Sequence, residues 1–329
     1  MRKKEKENKK MVYDVICVGG ANIDVFITSK SKDVEIERVH AHEDVCLPIG
    51  AKILIDTLTT DTGGAGVNTA TAFARLGFKT AVISKLGQDM NADLVLKKLK
   101  QEKIGFLGVR APGHTGYSVI LSGLHNNRTI LTFKGNNNML TTKDIPWKEL
   151  KTKWLYFGTL LGQSWKTQCE IARYAKKKGI KLLFNPSLYL AEQGMAFLKP
   201  VLDACTVLIL NKEEAQAMTG MKGYTKQVIE KLQEKVPIVV ITDGPRGALA
   251  YNGIKHYSII PKDVPIADTT GAGDSFASAF LAAIIDGQDI PTALKWGAAQ
   301  ANSVIQYYGA TNILLNRKQI IEQSKDVEA

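Results

Sequence analysis

The sequence predicts an α/β protein: a three-layer αβα domain built on a mainly parallel central sheet, with a small β-sheet lid. Two observations carry this. From about residue 79 onward, short apolar runs rich in β-branched residues alternate with segments of helical spacing, which is the pattern of a parallel sheet covered by helices on both faces. Residues 28–60 and 115–134 break that rhythm with polar, alternating material, the pattern of strands with one wet face.

In order along the chain, MRKKEKENKK and the following Met11 form a charged tail expected to be disordered. VYDVICVGG then reads as the first buried strand. Residues 28–60 contain no good helix and end in AKILIDTL. Their position between the first strand and the first helix makes them a lid or dimer surface, with a decorative loop as the alternative. KTAVISKLG, KWLYFGTL, IKLLFNPS, TVLILN and PIVVITDG read as buried strands, and helical spacing follows Asp89, Ser164 and Lys212. TGYSVILSG and RTILTF read as a hairpin turning near Leu124 to Asn127, and strand material near 105–120 is expected to join the lid. One domain is thus expected over 12–329, preceded by a tail at 1–11.

Composition narrows the function classes. The 329 residues are 45% hydrophobic, ordinary for a chain with a proper core. No apolar stretch approaches the ~20 residues that cross a bilayer, and the N-terminus lacks the apolar stretch of a secretion signal, so a cytoplasmic protein with no membrane partner is expected. Cys17, Cys46, Cys169 and Cys205 are scattered without C-x-x-C pairing, which favours buried free thiols over zinc or disulfides. Of the net charge of +11, the first ten residues supply +4 through six basic and two acidic side chains. The remainder is spread over helix-like surfaces such as Lys97, Lys98, Lys100, Lys103 and Lys176 to Lys178. No nucleic-acid recognition motif accompanies it, so no specific nucleic-acid partner is expected, although a basic field attracts anionic substrates.

The motif with most chemistry is DTTGAGDSF, residues 268–276, which follows the extended IIPKDVPIA and precedes the helical FASAFLAAII. Its glycines therefore fall where a helix begins, and unpaired backbone N–H groups at a helix start cradle anions. Asp274, in the first turn, is placed to accept a proton from a hydroxyl. The combination suits phosphoryl transfer, and a helix cap with an acidic first turn is the alternative. TGGAGVN, residues 62–68, again puts glycines before a helix with Asn68 just inside, and VGGANIDVF carries Asp24 after the first strand. These glycines do not space as G-x-G-x-x-G, and G-x-x-x-x-G-K-[ST] is absent, so neither the dinucleotide fingerprint nor the P-loop is present.

Together these motifs resemble the phosphofructokinase-B (PfkB) family of sugar and nucleoside kinases, the ribokinase-like group. GGAGVN resembles its first signature and DTTGAGDSF its second, while N-K-E-E at Asn211 to Glu214 and TDGPRG at Thr242 to Gly247 resemble its N-x-x-E motif and nucleotide-binding turn. The resemblance covers residues 12 to 315 and implies a ribokinase-like fold and an ATP-dependent kinase phosphorylating a hydroxymethyl group of a sugar. A nucleoside kinase and a non-catalytic sugar-binding regulator are the alternatives. It implies Asp274 as base and the amides of Gly271, Ala272 and Gly273 as anion hole. Asp24, Gly64 and Asn68 would hold substrate hydroxyls, with Asn22 beside them. Asn211, Thr242, Gly244 and Gly247 would meet the nucleotide, and Glu214 would organise Mg2+ through water. Asp268, Thr270 and Gly309 match positions that hold a monovalent cation, K+, in ribokinase-type members; a simple turn cap by Asp268 is the alternative. Pairing of lids implies a homodimer.

Departures from the family pattern are also visible. Gly158 and Thr159 stand where ribokinases place a sugar-binding glutamate, and Ala298 stands where many members carry a nucleotide-contacting asparagine or histidine, with Asn302 one turn away. This makes ribose doubtful as the acceptor. HAHED (His40 to Asp44), His114, His125 and His256 are expected in solvated loops and turns, and Trp147, Trp154, Trp165 and Trp296 in core or edge packing.

Overall fold

The computed structural model describes residues 13–29, 34–39, 42–124, 127–223 and 225–327. The tail, His40 and His125 lie outside them. A nine-stranded sheet forms the centre, in the order His256–Ile259, Ala248–Tyr251, Ile238–Thr242, Val207–Asn211, Lys181–Phe184, Thr152–Phe157, Tyr13–Val18, Thr80–Ile83, Gly105–Phe106. Ala248–Tyr251 pairs antiparallel with both of its neighbours, and all other neighbours are parallel.

Burial follows strand alternation. Val15, Cys17, Val82, Tyr156, Leu183, Val207, Ile209 and Val240 face a core shared with the helices Ala65–Arg75, Ala272–Ile285 and Ile290–Val304. Ile16, Val18, Leu155, Phe157, Leu182, Phe184, Leu208 and Ile241 face a second core under the helices Gly162–Lys178, Gly194–Leu202, Lys212–Thr219 and Thr225–Gln233. Three layers result, as expected for strands buried on both faces. The helix expected after Asp89 spans Met90–Gln101, with Asp89 accepting the Ala92 amide at 2.9 Å; the one expected after Ser164 begins two residues earlier, at Gly162.

The lid differs in composition from the expectation. It is a four-stranded sheet of Asn127–Phe133, Gly116–Leu124, Asn22–Thr28 and Thr57–Gly63. Only part of 28–60 belongs to it; Glu35–Val39 and His42–Cys46 make a separate hairpin, and Ala51–Ile55 is not regular. Of the strand material near 105–120, Gly105–Phe106 joins the central sheet and Val109–Arg110 pairs with Lys85–Leu86. The strand Gly116–Leu124 pairs parallel to Asn22–Thr28 across about ninety residues of chain, a non-local pairing that local alternation does not encode. Cys17, Cys169 and Cys205 are buried free thiols, while Cys46, on the small hairpin, is half-buried. Trp154, Trp165 and Trp296 are buried. Among the described residues no helix is long and apolar enough to cross a membrane, and no group of three or more His, Cys, Asp or Glu could hold a metal ion.

Candidate active site

The chain leaves Tyr13–Val18 in one direction to reach Thr80–Ile83 and returns on the other side as Thr152–Phe157. A crevice opens at the carboxyl ends of strands where sheet order reverses in this way. There a cleft of about 470 Å³ lies beneath the lid. Asn22, Asp24, Gly64, Asn68, Asn211, Glu214, Thr242, Thr270, Gly271, Gly273 and Asp274 all line it. A second cleft of about 620 Å³, walled by apolar groups such as Ile259, Val264, Phe276 and Ile305, takes in Gly244, Gly247 and Ala272. Thr242, Thr269 and Gly273 line both.

Asp274 sits where two helix N-termini meet. The helix Ala272–Ile285 starts from Gly271, whose φ of 80° is left-handed and whose added Cβ would lie 2.4 Å from the Ala310 Cβ. The helix Ala65–Arg75 starts from Gly64 and is held down by Gly66, whose amide donates to the Gly20 carbonyl at 2.9 Å. Asn68, in its first turn, donates from Nδ2 to Asp274 Oδ2 at 2.9 Å. Burial lifts the Asp274 carboxyl to about 6, against the lowering effect of the Asn68 bond. Such a carboxylate can take a proton near neutral pH. Gly273, in contrast to Gly271, has nothing within 4 Å of an added Cβ; its missing side chain leaves open the space in front of the helix start.

Across the cleft, Asp24 is raised to about 6 by burial, and Asp61 and Asp274 add to this while a Ser118 hydrogen bond and Lys134 oppose it. Its Oδ1 is buried without a hydrogen-bond partner. A Cβ on Gly63 would lie 1.7 Å from Asp24 Oδ2, so the double glycine makes room for this carboxylate. Asn22 accepts from Asn137 Nδ2 at 2.6 Å, and Asn137 Oδ1 in turn accepts from the Ala21 amide and from Ser84 Oγ, both at 3.0 Å.

N-K-E-E first of all caps a helix. Asn211 Oδ1 accepts from the Glu214 amide and Glu214 Oε2 from the Asn211 amide, both at 2.8 Å. Burial pushes the Glu214 carboxyl up to about 7, helped by Glu213 and Asp274. In the TDGPRG turn, Gly247 has a φ of 92° and a Cβ there would lie 1.8 Å from the Ile259 carbonyl oxygen, whereas Gly244 has open space.

Asp268 and Gly309 lie outside both clefts. Asp268 Oδ1 accepts from the Thr270 amide at 3.0 Å and from its hydroxyl at 2.9 Å, which is the turn cap. Its Oδ2 is nevertheless buried with no hydrogen-bond partner. Arg128, from the lid, bonds Thr269 Oγ1 and lies 3.9 Å from Asp268 Oδ1.

The departures from the family pattern have local causes. A Cβ on Gly158 would lie 2.5 Å from the Ala65 Cβ, so helix and strand approach too closely for a larger residue. Asn302 Nδ2 donates to the Lys262 carbonyl at 2.9 Å at the apolar cleft, beside Ala298. Sequence reasoning missed Ser118, Arg128, Thr132, Lys134, Asn137 and Asn185, all of which line the first cleft. Alternation along 116–133 was the available signal for the first three: Ser118 and Thr132 occupy one register row with Asp24.

Residues 14–317 match the family described as pfkB family carbohydrate kinase. The chain is 28% identical to a ribokinase of Arabidopsis thaliana, over 94% of this chain and 81% of that protein. Its fold is similar to the crystal structure of adenosine kinase from Sinorhizobium meliloti, at 18% identity and TM-score 0.81, covering 95% of this chain and 99% of that one. It is equally similar to a putative ribokinase II from E. coli in complex with ATP and Mg2+, at 16% identity and TM-score 0.80, covering 95% and 99%.

Proposed function

Because the chain belongs to the pfkB family of carbohydrate kinases, phosphotransferases that act on hydroxyl groups with ATP as donor, we propose that Asp274 is the general base for transfer to a hydroxymethyl group of a sugar. The observation that carries this is the placement of the Asp274 carboxylate, beside the open space at Gly273, where the polar cleft under the lid meets the apolar one. The sugar occupies the first cleft, its hydroxyls on Asp24, Asn22, Gly64 and Asn68. The nucleotide base occupies the second, and the phosphates run past Thr242, Gly244 and Asn211 towards the helix start. Asp274 takes the hydroxyl proton as the oxygen forms its bond to the γ-phosphorus, and the bond to the ADP oxygen breaks. The amides of Gly271, Ala272 and Gly273 stabilise charge on the moving group.

Magnesium, when bound, neutralises charge on the phosphates. Glu214 fits as its holder through water: its carboxyl lines the cleft and commits Oε2 to the Asn211 amide. A monovalent cation fits beside Asp268, whose Oδ2 is buried without a hydrogen-bond partner, with Thr270 and Gly309 as further ligands. The protein works as a cytoplasmic homodimer, paired through lids that expose Leu58, Leu131 and Phe133.

A phosphorylation screen over pentoses, hexoses and nucleosides with ATP and magnesium tests the reading. Sugar-dependent ADP release is expected. Transfer only to nucleosides identifies a nucleoside kinase, and sugar binding with no transfer identifies a non-catalytic regulator. Sedimentation as a monomer at high concentration overturns the dimer.

A further inference from the structure

The helix Ala65–Arg75, which brings Asn68 to Asp274 at its first turn, ends on Arg75. A cation on the last turn of a helix is stabilised by the helix dipole alone, but this guanidinium is turned to two other partners. Its Nε and Nη2 donate to Glu102 Oε2 and Oε1 at 3.3 and 2.7 Å. Against the raising effect of burial, Arg75 and Lys98 hold the Glu102 carboxyl below its ordinary value, so the anchor stays charged. Arg75 Nη1 donates to the Thr311 carbonyl at 2.6 Å and to the Asn312 carbonyl at 3.4 Å, 236 and 237 positions along the chain.

Ala310 and Thr311 are buried, so their backbone groups need partners inside the protein, and for the Thr311 carbonyl the arginine is that partner. The turn they belong to is closed on itself by Asn312 Nδ2, which donates to the Tyr308 carbonyl at 2.6 Å. Its inner side rests on the start of the helix Ala272–Ile285: the three atoms nearest an added Cβ on Gly271 all belong to Ala310, at 2.4, 2.8 and 3.3 Å. One helix of eleven residues thus reaches both halves of the site, the base through Asn68 at its first turn and the backing of Gly271 through Arg75 at its last.

We propose that Arg75 is a positioning residue for phosphoryl transfer: by holding the Thr311 and Asn312 carbonyls it seats Ala310 against Gly271, and so fixes the amides of that helix start relative to the Asp274 carboxylate that Asn68 holds. Hydrogen-bond donors act on a reaction only where its charge develops, and misplacing them by ~1 Å costs about 10²-fold. The fork matters as much as the charge. A guanidinium reaches a carboxylate and two carbonyls at once, whereas an ammonium is a single point. The inference rests on the kinase reading above, in which those amides receive the moving phosphoryl group.

Initial rates with ATP, magnesium and the pentose or hexose that wild type phosphorylates fastest test it in Arg75→Met, alone and combined with Ala310→Gly. Arg75→Met should lower kcat by about 10–100-fold. KM for sugar and ATP should stay within about twofold, because the lost interaction is made only in the transition state. A thermal melt shows whether the variant is folded at the assay temperature; where it is not, Arg75→Lys, which keeps the charge beside Glu102 but loses the fork, takes its place with the same expected loss. The acid limb near pH 6 that Asp274 sets should not move, because Asn68 still holds the carboxylate, whereas a general loosening of the helix would shift it upward. With the Gly271 contact already removed by Ala310→Gly, the further loss from Arg75→Met should shrink to less than about threefold. A folded variant with kcat within about threefold of wild type, a moved acid limb, or losses that multiply with Ala310→Gly overturns the positioning role while the kinase stands. Transfer by wild type to no acceptor overturns the kinase reading and this inference with it.

Discussion

Asn68 and Asp274 stand 206 positions apart in the chain and are joined by a 2.9 Å hydrogen bond from the Asn68 amide to Asp274 Oδ2. The bond brings the two glycine-led helices into one site. It also holds the carboxylate toward its ionised form against the cost of burial.

Replacing the base tests its role directly. Asp274→Asn keeps the size and can still accept from Asn68, but it cannot take a proton. Turnover is expected to fall by ~10²–10⁴-fold with sugar and ATP affinity largely kept. Steady-state rates with parallel binding titrations check this, and turnover within threefold of wild type removes Asp274 from the role.

The pH profile follows from the same carboxyl. Its pKa is raised to about 6, so turnover should fall as pH drops through about 6, and Asn68→Ala, which removes the lowering contact, should move that limb to higher pH. The stability effect has the opposite sense. A carboxyl whose folded pKa is raised contributes full stability below its ordinary pKa near 4 and loses it as pH rises through 6. Asp274→Asn should therefore stabilise the fold by on the order of 1–3 kcal/mol at pH 8, with the gain vanishing near pH 4. Urea titrations at both values read it out, and a gain independent of pH contradicts the burial account.

Two neighbouring glycines should respond differently. Gly273→Val places its side chain in open space, so the fold should hold within about 1 kcal/mol while ATP turnover collapses. Gly271→Ala meets Ala310 and a left-handed backbone, so it should destabilise the fold by more than about 1 kcal/mol. Thermal melts beside rate assays separate the two, and full activity in Gly273→Val refutes the anion hole.

Potassium should raise turnover over tetramethylammonium at constant ionic strength, because a cation at Asp268 Oδ2 would fix the loop that leads into the anion hole. Asp268→Asn should abolish the difference. Equal rates in both salts at saturating ATP and magnesium reject the cation site.

The six inner strands of the central sheet, from Ile238–Thr242 to Thr80–Ile83, and the glycine-led helix starts were legible because each leaves a local mark, a buried apolar run or glycines ahead of a helical pattern, whereas the short outer strands Gly105–Phe106, Ala248–Tyr251 and His256–Ile259 were not. The lid was only half legible. Its outer hairpin shows clean alternation, but the parallel pairing of Gly116–Leu124 with Asn22–Thr28 joins segments distant in sequence. Lys134 and Asn137 were invisible for a related reason. They follow the strand at the short 3-10 helix Gly135–Asn138, and only the folded chain brings Asn137 to Asn22, 115 positions away. In N-K-E-E the capping box was present in the letters, since an asparagine three residues before a glutamate at a helix start is that motif.

The position of the first strand in the sheet bears on how the protein is made. Val15 to Val18 have no exposure in the folded protein, with Thr80–Ile83 on one side and Thr152–Phe157 on the other. During synthesis at ~5–20 residues per second, the nascent chain carries that apolar strand with one flank uncovered for ~4–15 s, between the emergence of its first neighbour and its second. An uncovered strand edge of this kind invites pairing with other chains, so the ribosome-bound half of this protein carries an aggregation hazard that the finished sheet removes.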